Sequence, residues 1–186
     1  MGKKNYYDQA LGSYEAACLL GMHWGQPSKL LAKGVLTAHV APESAYSEDP
    51  TRFPAIYDGR EIEKNYLEYE EKVAALGGQH DRRPRAWLHL RPEAIRRLKA
   101  IPEPIDFADA VTLVEAAKIL SVHISLVPRM IANGKIVGRV PWNPRGVKAA
   151  ARNWIVSRKS CQANAKETRA REVAGTKPGT KRKKAT

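Results

Sequence analysis

Thr112-Leu113-Val114-Glu115-Ala116-Ala117-Lys118-Ile119-Leu120-Ser121-Val122-His123 decides the fold, because the chain carries a second version of it. Beside it stands Ser13-Tyr14-Glu15-Ala16-Ala17-Cys18-Leu19-Leu20-Gly21-Met22-His23. Glu15, Ala16, Ala17, Leu20 and His23 recur 100 positions later as Glu115, Ala116, Ala117, Leu120 and His123. The match continues without insertion: Leu30-Leu31-Ala32-Lys33-Gly34-Val35-Leu36 answers Met130-Ile131-Ala132-Asn133-Gly134-Lys135-Ile136. Shared pattern at shared spacing points to an internal duplication.

Each copy reads as helix, tight turn, helix. Thr112 and Glu115 form a capping box, in which side chains and first-turn amides satisfy one another. Ser13 is the expected N-cap of the first copy, with Glu15 near the positive helix end. The paired alanines let a second helix approach closely, and Leu19, Leu20, Ile119 and Leu120 form the buried side. Gly21 and Ser121 fall at the turn. Gly34 and Gly134 stop the second helices at C′, where a left-handed backbone suits glycine.

This pattern, Thr-x-x-Glu-Ala-Ala-x-x-Leu-x-Val, a turn, a second helix and then Gly-x-Ile, resembles the winged helix-turn-helix of the MerR and excisionase superfamily. The resemblance covers roughly a third of the chain, and the second copy is the better match. It implies DNA binding, with the second helix of each copy in the major groove and a β-hairpin wing against the backbone or minor groove. The outward candidates of the first copy are Trp24, Gly25, Gln26, Ser28, Lys29 and Lys33. In the second copy they are Ile124, Ser125, Leu126, Arg129 and Asn133, followed by Lys135. The helices depart from the pattern in offering few Arg, Asn or Gln for base edges. Pro128 is expected near mid-helix, where its missing N–H and its ring cost about 3 kcal/mol. Two explanations stand: both helices enter the groove with few contacts and a contribution from DNA shape, or one copy has become a packing or dimerisation surface.

Beyond the helix pairs, Thr37–Val40 and Phe53–Tyr57 are candidate wing strands across a polar loop. Asp58-Gly59-Arg60-Glu61 reads as another capping box. Its helix places Ile62, Tyr66, Tyr69, Val73 and Leu76 on one side. The other face carries Glu63, Glu68, Glu70 and Glu71, so it points away from DNA and could neutralise the basic stretch that follows. That stretch runs through Arg82-Arg83-Pro84-Arg85, a short strand over Ala86–Leu90 and a helix from Pro92 to about Ala100. Ile101-Pro102-Glu103-Pro104 is a stiff connector. In the second copy Ile136–Val140 is a strand candidate, Pro141–Gly146 a wing tip, and Val147–Val156 a helix. Arg139, Arg145, Lys148 and Arg152 make this wing cationic, and Trp142 either stacks on a sugar or packs under its own wing.

The expected organisation is a first unit at 1–78, a basic connector at 79–108, a second unit at 109–157 and a tail at 158–186. The fold class is mainly α with small β-hairpin wings. The tail holds ten Lys and Arg against two acids and ends Lys181-Arg182-Lys183-Lys184-Ala185-Thr186. It is nearly free of large apolar residues, so it is expected to be a largely disordered, phosphate-binding arm or a solubilising tail, helical from Ala163 to Val173 when docked.

Composition sets the outer limits. The 186 residues carry 32 Lys+Arg against 19 Asp+Glu, a net charge of +13, which favours polyanionic partners. No apolar run reaches the roughly 18–20 residues of a membrane span, and the N-terminus lacks the apolar stretch of a secretory signal. Cys18 and Cys161 stand far apart and in no metal or redox motif, which fits a reducing cytosol. The five histidines form no metal spacing. No phosphate-binding glycine loop is present, so neither an enzyme nor a cofactor is expected. The expectation is a cytoplasmic, nucleoid-associated binder of double-stranded DNA. It would act as a transcriptional regulator or as an excisionase-like architectural factor of a mobile element. Partners are a possible second copy or the recombination or transcription machinery, with no membrane. The alternatives are a protein-interaction or assembly module with an incidental basic tail, favoured by Trp24, Ile124 and Leu126, and an RNA-binding protein, favoured only by the tail.

Overall fold

Strand β1 (Ala10–Gly12) runs straight into α1 (Ser13–Leu20), and a turn at Gly21 leads to α2 (Gln26–Ala32). Strands β2 (Ala38–Val40) and β3 (Ala55–Asp58) follow, then the long α3 (Gly59–Ala75). A computed structural model describes residues 5–40, 55–76, 86–146 and 154–173. The order β1-β3-β2 makes a three-stranded antiparallel sheet. After α4 (Arg91–Lys99) the same series returns. It comprises β4 (Ala110–Val111), α5 (Leu113–Leu120), α6 (Val127–Ala132), β5 (Gly138–Arg139), β6 (Ile155–Ser157) and α7 (Arg158–Val173). Its sheet has the order β4-β6-β5.

The duplication therefore extends well past the two helices. Leu11 pairs with Tyr57 and Val111 with Val156; Ala38 pairs with Tyr57 and Gly138 with Val156. The equivalence runs at 100 positions through the first two helices and their next strand. It slips to 99 by the last strand and helix, one residue having been lost between. Even the hydrogen bonds that tie the third helix down are reproduced. Thr37 donates its amide to the Glu61 carboxylate at 2.9 Å, and Val137 donates to the Ser160 hydroxyl at 2.8 Å. Glu61 is thus used by Thr37, and Asp58 alone caps α3, accepting from the Arg60 amide. Ile62 and Cys161, again 99 apart, each lie fully buried in the core of their half.

Several sequence expectations are corrected here. Gly12, not Ser13, is the N-cap of α1, and the Glu15 carboxylate accepts its amide at 3.0 Å. A side chain at Gly12 would collide with Pro141, whose Cβ lies 2.5 Å from where a Cβ would stand. Thr112 and Glu115 do form the full box. Pro128 sits at the start of α6, where a missing amide costs nothing, because Ile124–Leu126 forms a separate 3-10 turn first. Leu88–Leu90 is a 3-10 turn rather than a strand. Ile155 begins a strand, not the end of a helix, and residues 147–153 of that expected helix lie outside the described residues. Arg158–Val173 of the tail form a helix, and the rest of it lies outside the described residues; Ser157 and Asp109 hold the first amides of this helix, and Cys161 docks it on α5. A buried thiol packs as a small hydrophobe, which the scarcity of large apolar residues concealed.

The end of the expected connector belongs to the first half. Ala94 and Leu98 of α4 are buried in the first core beside Leu11, Leu19, Leu20, Tyr57 and Ile62. Arg91 is the anchor. Its guanidinium donates to the Leu19 carbonyl, pairs with Glu63 at 2.8 Å and lies 3.5 Å from the centre of the Tyr66 ring. One carboxylate of the acidic helix does neutralise the basic stretch after it. Among the described residues no helix is long and apolar enough to cross a membrane.

Candidate functional site

Gly21 and Ser121 both take a left-handed backbone, at φ 68° and 56°, and turn the chain from the first helix of each pair into the second. Pro27 and Val127 at the start of α2 and α6 are buried, with Leu30, Leu31, Met130 and Ile131 half-buried against the cores. That leaves one stripe of each helix facing outward. On α2 the exposed residues are Lys29, Ala32 and then Lys33; on α6 they are Arg129, Ala132 and then Asn133. Lys29 and Arg129 occupy the same position of the repeat, and neither has an ion-pair partner among the described residues. Ser125, Lys135 and Arg145 are exposed as well, while Gln26 and Ser28 are half-buried.

The turns differ between halves. His123 caps the 3-10 turn through Nδ1, which accepts from the Ser125 amide at 3.3 Å. His23 instead joins a ring cluster. Tyr14 lies near-parallel to Trp24 and to Trp87, with centroids 6.2 and 6.0 Å away, and His23 leans on both tryptophans. Trp24 stands at the edge of this cluster, 42% exposed. Trp87 comes from the segment read as a strand, which is why the pattern of the helix pair alone did not reveal the cluster.

The segment expected to be the second wing is where the structure departs most from the sequence reading. Arg139, expected to face a phosphate, turns inward to the other half. Its Nη1 and Nη2 donate to the Glu15 carboxylate at 2.6 and 3.0 Å, and Nη2 also donates to the Ala10 carbonyl at 2.6 Å. Trp142 neither projects as a wing tip nor packs under its own wing. Its amide donates to Glu15 at 3.0 Å, its ring packs on the first core, and the Arg97 guanidinium lies 4.9 Å from the ring centre. Lys148, Arg152, Lys181, Arg182, Lys183 and Lys184 lie outside the described residues.

Strand β2 of the first half makes the reciprocal contact. His39 Nε2 stands 2.8 Å from both carboxylate oxygens of Glu115. Burial alone would raise the Glu115 carboxyl, but hydrogen bonds from the Thr112 amide and hydroxyl and from His39 outweigh it and hold the group below its usual range. His39 and Arg139 are 100 apart, and so are Glu15 and Glu115. Between these pairs lies a small shared core of Ala10, Ala110, Ile56, Ile155 and Ile105, in which the first four are again repeat equivalents. The sequence held a signal for this: two basic wing residues and two capping glutamates recur at the duplication's own spacing.

The two thiols belong to the cores. Burial pushes Cys18 up to about 12 and Cys161 up to about 11, with a further upward push from Glu15 and Asp109 respectively. Among the described residues no group of three His, Cys, Asp or Glu side chains is placed to hold a metal ion. No protein-family model matches the chain, and no curated protein or solved structure matches it either.

Proposed function

We propose that the chain binds double-stranded DNA through two winged helix-turn-helix units, with α2 and α6 laid against the grooves. The observation that carries this reading is the cation kept at one outward position of both helices, Lys29 and Arg129, beside an outward alanine that both share, Ala32 and Ala132. A cation without an ion-pair partner among the described residues, at a repeated surface position, fits a repeated anion, and a duplex offers phosphates at regular spacing. Ser125, Lys33, Asn133 and Lys135 flank the same stripes. The acidic residues Glu68 and Glu71 lie exposed on α3, which buries its opposite side in the first core, and so would not oppose phosphates there. The wing strands contribute less than the resemblance implies, since Arg139 and Trp142 are spent on the other half. The role that follows is a transcriptional regulator or an excisionase-like architectural factor, without catalysis.

A second reading, a protein-docking module, draws on the exposed Trp24 and Leu126, at 42% and 41%. Charge reversal separates the two. Lys29→Glu and Arg129→Glu are to be compared with the parent chain by fluorescence anisotropy on labelled duplex. Each single change is expected to weaken binding at least tenfold and the double change to abolish it, with unfolding midpoints unchanged because both sites are exposed. Undiminished binding by the double variant would refute the assignment of α2 and α6.

A further inference from the structure

The contacts between the halves specify how one half is turned relative to the other. Arg139 of the second half grips Glu15 of the first, and His39 of the first half grips Glu115 of the second. Carrying the first half onto the second takes Glu15 to Glu115 and His39 to Arg139. The same operation applied to the His39–Glu115 contact must then return the Arg139–Glu15 contact, which holds only if two applications restore the starting point. That is a rotation of half a turn. A translation or a screw along the chain would give a head-to-tail contact in which a wing is used on one side only. The central cluster agrees, since it draws Ala10 and Ile56 from the first half and their equivalents Ala110 and Ile155 from the second, with β1 packed against β6. The contact is also fixed in place. The Glu15 side chain is only 2% exposed, Arg139 13%, and Pro141 closes on Gly12.

We propose that a single chain recognises an inverted repeat in DNA, made of two unlike half-sites at one fixed spacing. The inference rests on the DNA-binding reading above and adds to it the polarity, number and distance of the half-sites. A two-fold pair of reading helices meets the two strands with opposite polarity, as symmetric dimers do on palindromic sites. Here the dimer is covalent, so one chain suffices. The half-sites differ because the helices differ: Lys29 stands against Arg129, Gln26 against Leu126 and Lys33 against Asn133. Arg can contact a guanine edge in a bidentate fork where Lys is a point charge.

Selection of duplexes from a fully randomised library by the intact chain, followed by sequencing, tests this. The expected product is an imperfect inverted repeat bound by one chain, as measured by native mass spectrometry. Re-synthesis with five base pairs added between the half-sites turns one of them about half a helical turn away. Affinity should fall at least tenfold and recover in part with a full turn added. Enrichment of direct repeats, of single half-sites, or of sites tolerant of any spacer overturns the inference while leaving DNA binding intact. Failure to retain any duplex overturns the DNA-binding reading itself.

Discussion

Replacing Arg139 by alanine separates a wing residue that faces DNA from one that holds two halves together. In the structure Arg139 makes three charge-assisted hydrogen bonds, two to Glu15 and one to the Ala10 carbonyl. Its removal leaves the Glu15 carboxylate, 2% exposed, with only the Gly12 and Trp142 amides. Stranding one partner of a buried ion pair costs about 3–5 kcal/mol. The two remaining amides place Arg139→Ala near the lower end, about 3 kcal/mol, against a total near 5–15 kcal/mol for a protein of this kind. With a urea slope of about 2 kcal/mol per molar, the midpoint falls by about 1.5 M. The double replacement Glu15→Gln/Arg139→Met is expected to lose less than Arg139→Ala alone, because no buried charge remains and Arg139 Nε has no partner in the parent chain. A loss below about 1 kcal/mol, the range of an exposed pair, would show that the wing does not dock on the other half and would remove the basis of the two-fold argument.

Three further outcomes follow from other parts of the molecule. Glu115 is held below the usual carboxylate range in the folded chain, so its contribution is present above the unfolded value and lost as pH falls through the folded one. Urea titrations should show stability dropping below about pH 4.5, and Glu115→Gln should flatten that part of the profile; an unchanged profile would contradict the Glu115–Thr112–His39 arrangement. With Cys18 near 12 and Cys161 near 11 and both fully buried, neither thiol should be alkylated at pH 8 without urea. Rapid labelling of Cys161 alone would show that α7 is not docked on α5. The left-handed turn strains Ser121 and suits Gly21, so Ser121→Gly should raise stability by about 0.5–1 kcal/mol. Gly21→Ala should lower it by more, since its Cβ would also meet Leu88 at 3.0 Å; equal effects at the two sites would refute the turn assignment.

The helix pairs were legible in the sequence because their determinants are local. A capping glutamate, paired alanines, a leucine and a terminating glycine each act within one or two turns of chain, and Gly34 and Gly134 do end their helices left-handed. The strands that complete each repeat were half legible. The strands expected over Thr37–Val40 and Phe53–Tyr57 pair as Ala38–Val40 and Ala55–Asp58, whereas Ile155–Ser157, beside Trp154, reads equally well as helix. The placement of α4 and α7 was not legible at all, since one buried arginine and one buried cysteine decide it over long sequence separations. At the candidate site Lys29 and Arg129 are exposed, as expected of outward residues, whereas Gln26, Ser28 and Ile124 of the same set are half-buried. Arg139 and Trp142 do not, because a cation on a hairpin looks alike whether it meets a phosphate or a carboxylate from another part of the chain. Gly12 in place of threonine was the local trace of that contact, marking where Pro141 needs room.

The salt dependence of binding tests most directly whether a duplex is the ligand. The intact chain is titrated onto labelled random duplex at several salt concentrations between 50 and 200 mM. About six phosphate contacts predict that log affinity falls against log salt with a slope near −5. No measurable binding at the lowest salt, or an affinity that does not change across the series, would contradict the account.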